Sequence, residues 1–530
     1  MPEVQTGELT PNPDYYLISA SGLLGESPRS TIEDVPRILQ KAANEAPANG
    51  LVIHFHGGLV DRQSGLNGVV APLTNRYAEA QAYPLFFVWE SGFLEALRNN
   101  KTELLKDPAF RELVKKVSEW AIEKIAPGGN IVFRGAGGEQ VEDIRRFRKE
   151  FDAFFDEQIA DPPCESARVP RAGDPQVQTK ASSINVNALA QEIAARLDND
   201  PAFKQALSEA FNASIPPSDL VTKGAGNLAA STNLLLDQRA LDEMFPPAGG
   251  VQATSNTRIK TRGVFDWLGV AKYVAKLVIA VVRRYGNAQD HGLYCTIVEE
   301  VLRSAYGNLI GATVWNQMKN DTLDSFGDRG EACGSAVIKE LRRLEEAGKG
   351  FTKITLIGHS TGAIYICNFL DAAAKAGLTS PMRVVFLAPA VTAERFAKAI
   401  NAHEGAGLAR FRTFGMTDER ESADRMLSPL YTRSLLYFVS GLLEGRGSDG
   451  AWESVIDMPL VGMQRFYVRT SPSDTSGAGR VRRFLDAVPN RAVWSRSADQ
   501  EDGLNSDSQK HGDFDNDDST LRSVVAFIKH

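Results

Sequence analysis

Five residues, Gly358-His359-Ser360-Thr361-Gly362, stand where a β-branched run ("KITLIG") gives way to a helical pattern ("GAIYICNFLDAAAKAG", 362–377). Glycine at 358 and 362 removes the two side chains that would collide in a sharp strand-to-helix turn. Such a turn forces Ser360 into a strained backbone conformation and lifts its hydroxyl out of the sheet. It also sets the Thr361 amide at the start of a helix, where unpaired N–H groups and the helix dipole favour negative charge. A hydroxyl beside a pocket for negative charge is what acyl transfer requires. The Gly-x-Ser-x-Gly pattern by itself is a weak signal, so the elements around it have to carry the reading.

Those elements alternate. The strand "YYLISASG" (15–22) is followed by an amphipathic helix over 31–47. The buried strand "GLVIHFHGG" (50–58) leads to a helix over about 66–82, and "YPLFFVWESG" (83–92) is another apolar strand. Two fully apolar strands separated by a helix predict a parallel sheet covered on both faces. From about 93 to 328 the chain turns mostly helical, with a linker expected at 161–184. Alternation then resumes: helix 331–348, strand "KITLIGHS", helix 362–377, strand 382–390, helix 393–402, strand 408–418, a last strand at 491–498 and a closing helix near 516–529. The pattern predicts one α/β domain in two halves, 1–92 and 329–530, interrupted by a mainly helical insertion, 93–328.

The stretch around Ser360 resembles the nucleophile elbow of α/β-hydrolases. The resemblance implies an oxyanion loop after an early strand, and "HFHGGLV" offers His56-Gly57-Gly58-Leu59 directly after strand 50–55. Amides of Gly57, Gly58 or Leu59 would join that of Thr361 in holding an oxyanion. The family's chain order is Ser, acid, His. Of the histidines after Ser360, His403 ends a helix and His530 ends the chain, which leaves His511 as the base. The acid is expected after the strand that ends near 418, where Asp418, Glu419, Glu421 and Asp424 cluster; Asp418, nearest the strand end, is the first choice, with the task of orienting His511. His359 fills the variable slot of the elbow and is read as a packing residue. The resemblance implies an esterase- or lipase-like serine hydrolase working through an acyl-enzyme, with an ester or lipid substrate and no cofactor. Amidase, thioesterase and acyltransferase chemistry use the same parts.

Several features bound this reading. The 530 residues carry a net charge of −7 with no basic stripe, which argues against nucleic acid as partner. Cys164, Cys295, Cys333 and Cys367 are widely spaced and predict neither a disulfide framework nor a structural zinc site. His54 and His56 alternate along a strand and so share a face, but no acidic or cysteine partner lies at ligand spacing, so no metal is expected. The N-terminus lacks the features of a signal peptide, and a cytoplasmic location is the expectation. The sequence departs from the family pattern in two ways: the insertion precedes the elbow, and the gap from Asp418 to His511 is long. The insertion is expected to act as a cap or lid. Its stretch 267–286 has an apolar stripe through Trp267, Val270, Val274, Leu277, Val278, Val281 and Tyr285 that suits either a core or contact with membrane or lipid. Two other readings of the chain are a non-catalytic hydrolase fold used for binding, and a lipase effector acting at membranes with a partner.

Overall fold

A computed structural model describes residues 11–58, 60–89, 101–125, 146–147, 149–150, 153–154, 184–213, 236–245, 267–307, 312–444, 457–471 and 473–530. Seven strands form one sheet: β1 (Tyr16–Ser19), β2 (Leu51–Phe55), β3 (Tyr83–Trp89), β4 (Ile354–His359), β5 (Met382–Leu387), β6 (Phe411–Met416) and β7 (Ala492–Ser495). Every neighbouring pair is parallel, in the order β1-β3-β2-β4-β5-β6-β7. Strands β2, β3 and β4 are buried along their whole length, as expected of apolar runs covered on both faces.

Alternation along each strand divides the core in two. Val52, Phe86, Val88, Ile357 and Val385 face the helices Ala71–Glu79 and Asp518–Lys529. Ile53, Phe55, Phe87, Leu356 and Phe386 face the opposite layer, which includes Asp34–Glu45, Cys333–Glu346, Gly362–Lys375 and Ala393–His403. The α/β architecture expected from the sequence is therefore present, with strand ends shifted by a few residues.

The strand order reverses between β2 and β4. The connection leaving β2 goes to β3 on one side, whereas the one leaving β4 goes to β5 on the other. The carboxyl ends of two such strands open a crevice that no crossover covers. Phe55 pairs with Gly358 in register, so the loops after Phe55 and after His359 emerge side by side at this crevice.

Helices of the insertion among the described residues include Pro108–Ile125, Val186–Leu197, Trp267–Gly286, Leu293–Ala305 and Ala312–Asp324. The apolar stripe of Trp267–Gly286 is consumed within this layer: Val270, Val274, Leu277, Val278 and Val281 are buried, and the helix packs on 186–197, 108–125 and 293–305. This corrects the membrane option for that stripe, since a stripe covered by protein has no face left for lipid. No helix among the described residues is long and apolar enough to cross a membrane. The expected linker lies outside the described residues except for Ile184.

A buried ionic cluster joins the insertion to the connection between β6 and β7. Arg284 pairs with Glu299 (2.5 Å) and Glu300 (2.9 Å), while His291 sits between Glu299 (2.7 Å) and Asp457 (2.9 Å). Tyr431 donates to Glu299 at 2.5 Å. Burial alone would push the Glu299 carboxyl up, but His291 and Arg284 overcome it and bring it down to about 2. Removing Glu299 leaves Arg284 with Glu300 and His291 with Asp457 as their only carboxylate partners in a fully buried site, so Glu299→Gln should cost roughly 3–5 kcal/mol of folding stability near neutral pH. A carboxylate lowered from 4.5 to about 2 contributes stability that is complete above its unfolded value and lost as pH falls through the folded one. The gap between wild type and Glu299→Gln should therefore narrow in urea unfolding between about pH 5 and pH 3. A gap that stays constant over that range contradicts the assignment.

Candidate active site

Ser360 occupies the left-handed region, with φ at +53°, and is 2 % exposed. Its N–H donates to the Leu387 carbonyl (2.8 Å), and its own carbonyl accepts from Ala390 N–H (3.0 Å). The flanking glycines are required sterically. A Cβ at Gly358 would lie 2.6 Å from the Gly362 carbonyl oxygen, and one at Gly362 only 2.2 Å from the Phe55 carbonyl oxygen on β2. Thr361 is the N-cap of the helix Gly362–Lys375, and its amide donates no hydrogen bond among the described residues.

The glycine loop after β2 lies against this turn. A Cβ on Gly57 would come within 3.3 Å of the Ser360 Cβ, and one on Gly58 within 2.9 Å of Thr361 Oγ1. On its other side Gly58 is closed off by Met318 of the insertion, whose Cε would be 1.9 Å from such a Cβ. His56 sets the loop's orientation. Its Nε2 accepts from Trp89 N–H (3.1 Å), which leaves the proton on Nδ1 to donate to the Gly57 carbonyl (2.7 Å). In a trans peptide the carbonyl and the next amide point opposite ways, so the Gly58 N–H faces away from His56. Leu59 lies outside the described residues.

His511 is brought to the same place. It is 3 % exposed, and its backbone N–H donates to Asp424 Oδ2 at 2.9 Å. Neither ring nitrogen has a hydrogen-bond partner among the described residues. Burial, aided by the neighbouring His359, brings the imidazole down to about 3 against the opposing pull of Asp515. His511 is therefore a neutral ring whose two nitrogens bond neither Ser360 Oγ nor a carboxylate among the described residues.

The structure does not bring Asp418 to His511. Asp418 accepts from Tyr437 Oη (2.7 Å) and does not line the pocket that holds Ser360 and His511. It opens the helix Asp418–Ala423, whereas Asp424 follows the helix in extended conformation and reaches the His511 backbone. Burial raises the Asp424 carboxyl despite the bond from His511. Glu421 is fully enclosed and its carboxyl is pushed well above the usual range by burial; Glu419 is exposed.

His359 is more than packing. Its Nδ1 lies 3.2 Å from Asp515 Oδ2, and its Nε2 reaches the His511 carbonyl at 3.0 Å. The two rings stack with centroids 5.4 Å apart. Burial pulls the His359 imidazole down, but the Asp515 carboxylate and the His511 carbonyl outweigh it and raise it above its ordinary value. His54 and His56, by contrast, are brought down to about 3 and about 4 by burial. They do not converge: His54 Nδ1 meets Tyr77 Oη (2.7 Å), whereas His56 turns to Trp89 and Gly57. No group of metal-ligating side chains occurs among the described residues.

Gly57, His359, Ser360, Asp424, His511 and Asp515 line one pocket of about 890 Å³. None of the described residues of the insertion lines it, so its described walls come from loops and short helices outside the insertion. Another cavity, of about 930 Å³ and bordered by Val35, Lys339, Arg342 and Lys375, has no histidine or cysteine in its wall. The oppositely shifted rings allow a direct check. In a carbon-13 histidine NMR titration, His359 should titrate above 6.5 while His511 stays neutral from about pH 5 to pH 8. A His511 signal that titrates near its ordinary value would count against the buried site.

Comparison of the chain with family models, with curated proteins and with solved structures finds no match to any of them.

Proposed function

We propose that the chain is a serine hydrolase of the α/β-hydrolase type that cleaves carboxylic esters through an acyl-enzyme. The observation that carries this reading is Ser360 at φ +53°, at the sheet's reversal point, sharing a pocket with a neutral, uncommitted His511. Ser360 Oγ attacks the ester carbonyl while a nitrogen of His511 takes its proton. The tetrahedral oxyanion is met by the amides of Thr361 and Gly58. The intermediate collapses, His511 returns the proton to the departing alcohol, and a water activated by the same imidazole releases the acid. Asp424 fastens the base by its backbone and supplies negative charge to the imidazolium that forms.

The wall combines the apolar side chains of Val60, Val69 and Met426 with the charged Arg420, Lys510 and Asp513. This mixture supports compact esters with a polar portion as first substrates, in preference to long-chain lipid. A lid role for the insertion has no support from the pocket wall, and a buttress behind Gly58 through Met318 fits the contacts better.

Ser360→Ala and His511→Ala should each lower kcat on a short-chain nitrophenyl ester by about six orders of magnitude, since the two act as a unit. Asp424→Ala should lower it by about four, and Asp418→Asn by far less. A fluorophosphonate probe should label the wild type at Ser360 and leave Ser360→Ala unlabelled. Retained turnover in Ser360→Ala would end the hydrolase reading; a larger loss in Asp418→Asn than in Asp424→Ala would reverse the choice of acid.

A further inference from the structure

Two buried, ionisable side chains at the pocket have no part in the proposed proton transfer: His359 and Asp515. They come from different elements. His359 is the last residue of β4, and Asp515 lies in the loop that carries His511 into the closing helix Asp518–Lys529. His359 makes two contacts with that loop, to Asp515 Oδ2 at 3.2 Å and to the His511 carbonyl at 3.0 Å, and a third through ring stacking on His511. Asp515 is itself oriented by Asn516 Nδ2, which donates to its Oδ1 at 3.0 Å.

We infer that the His359–Asp515 pair is a positioning device that fastens the loop 509–516 to the serine turn and so presets His511 opposite Ser360. This rests on the hydrolase reading for its catalytic consequence but not for the clamp. The geometry has a clear logic. His511 has both ring nitrogens uncommitted among the described residues, so no bond to the ring itself fixes the base. Its orientation must come from its main chain, which is held at both ends: Asp424 accepts the N–H at 2.9 Å, and His359 donates to the carbonyl at 3.0 Å. His359 donates from Nε2, and the Asp515 carboxylate 3.2 Å from Nδ1 favours a second proton there. The groups facing it are Asp515 and His511 from the loop, His54 of β2 and His56 just after it. The rings of His54 and His56 are both neutral through burial, so Asp515 is the charge that holds the second proton. In its doubly protonated form His359 adds an ion pair with Asp515 to its hydrogen bond with the base loop; once deprotonated it loses that ion pair.

The consequence is a falling limb in the pH profile. His511 is available as a base at any pH well above about 3, so the loss of kcat toward higher pH reports His359 losing its proton above its ordinary value. Asp515→Asn removes the charge that raises His359 and should move that limb to lower pH. Asp515→Asn and His359→Phe should each lower kcat roughly 10- to 100-fold with little change in KM, the effect of a misplaced base. Independently of turnover, amide hydrogen exchange of the 509–516 segment should rise about fivefold or more in both variants of the full chain. Unchanged exchange in the conservative Asp515→Asn variant overturns the clamp. So does a falling limb at the same pH in wild type and Asp515→Asn, because a merely structural aspartate would not move it. If wild type fails to react with a fluorophosphonate, the hydrolase reading falls, and the exchange result still decides whether the pair fastens the loop.

Discussion

The left-handed backbone at Ser360 is the constraint from which the rest of the site follows. A side-chain-bearing residue in that region costs about 1–2 kcal/mol, and it persists only where its surroundings over-determine it. Here they do. The Ser360 N–H is tied to Leu387, its carbonyl receives Ala390, and the turn closes onto β2 through Gly362, where the Phe55 carbonyl leaves no room for a Cβ. The strain has a geometric product. It ends β4 and begins a helix within two residues, which sets Ser360 beside the amide of Thr361 and the glycine loop after β2. Parallel β2 and β4 bring both loops out at the same edge, and the reversal of strand order keeps a crossover from covering them.

Local sequence carried the parts of this arrangement that depend on local physics. Apolar runs of strand length, helical spacing and the Gly358/Gly362 pair each report the conformation of their own few residues, and the alternating order follows. The acid could not be read that way. Asp418, Glu419, Glu421 and Asp424 lie within two turns of helix, so proximity to the strand end says little about direction. What separates them is where the chain goes next: Asp418 meets Tyr437 at the helix start, and Asp424, past the helix end, meets His511. His359 was missed for a related reason. A residue in a variable slot carries no pattern of its own, and its partner Asp515 is remote in sequence.

The two long segments that interrupt the strand–helix alternation account for each other. The helical insertion and the long excursion between β6 and β7 are joined by the buried cluster of Arg284, His291, Glu299 and Asp457, with Arg465 and Arg469 also directed at Asp457 (3.6 and 2.6 Å). Desolvating so many charges is costly, and what it returns is geometry: each member has few positions in which all the others stay paired. Either segment alone would expose its half of the cluster.

The cluster also reaches the candidate site, by contacts rather than by lining it. His291 packs edge-on against Tyr437 with centroids 4.7 Å apart, and Arg465 lies over the same ring at 5.1 Å. Tyr437 in turn donates to Asp418, the first residue of the short helix whose far end presents Asp424 to His511. Asp418 thus anchors, by its bond to Tyr437, the start of the short helix after which Asp424 meets the His511 backbone. On the other flank, Met318 of the insertion closes the back of Gly58. The insertion therefore bears on both the acid helix and the glycine loop from behind. That is the role of a buttress, and it explains how a large helical block can sit beside a pocket without contributing a described residue to its wall.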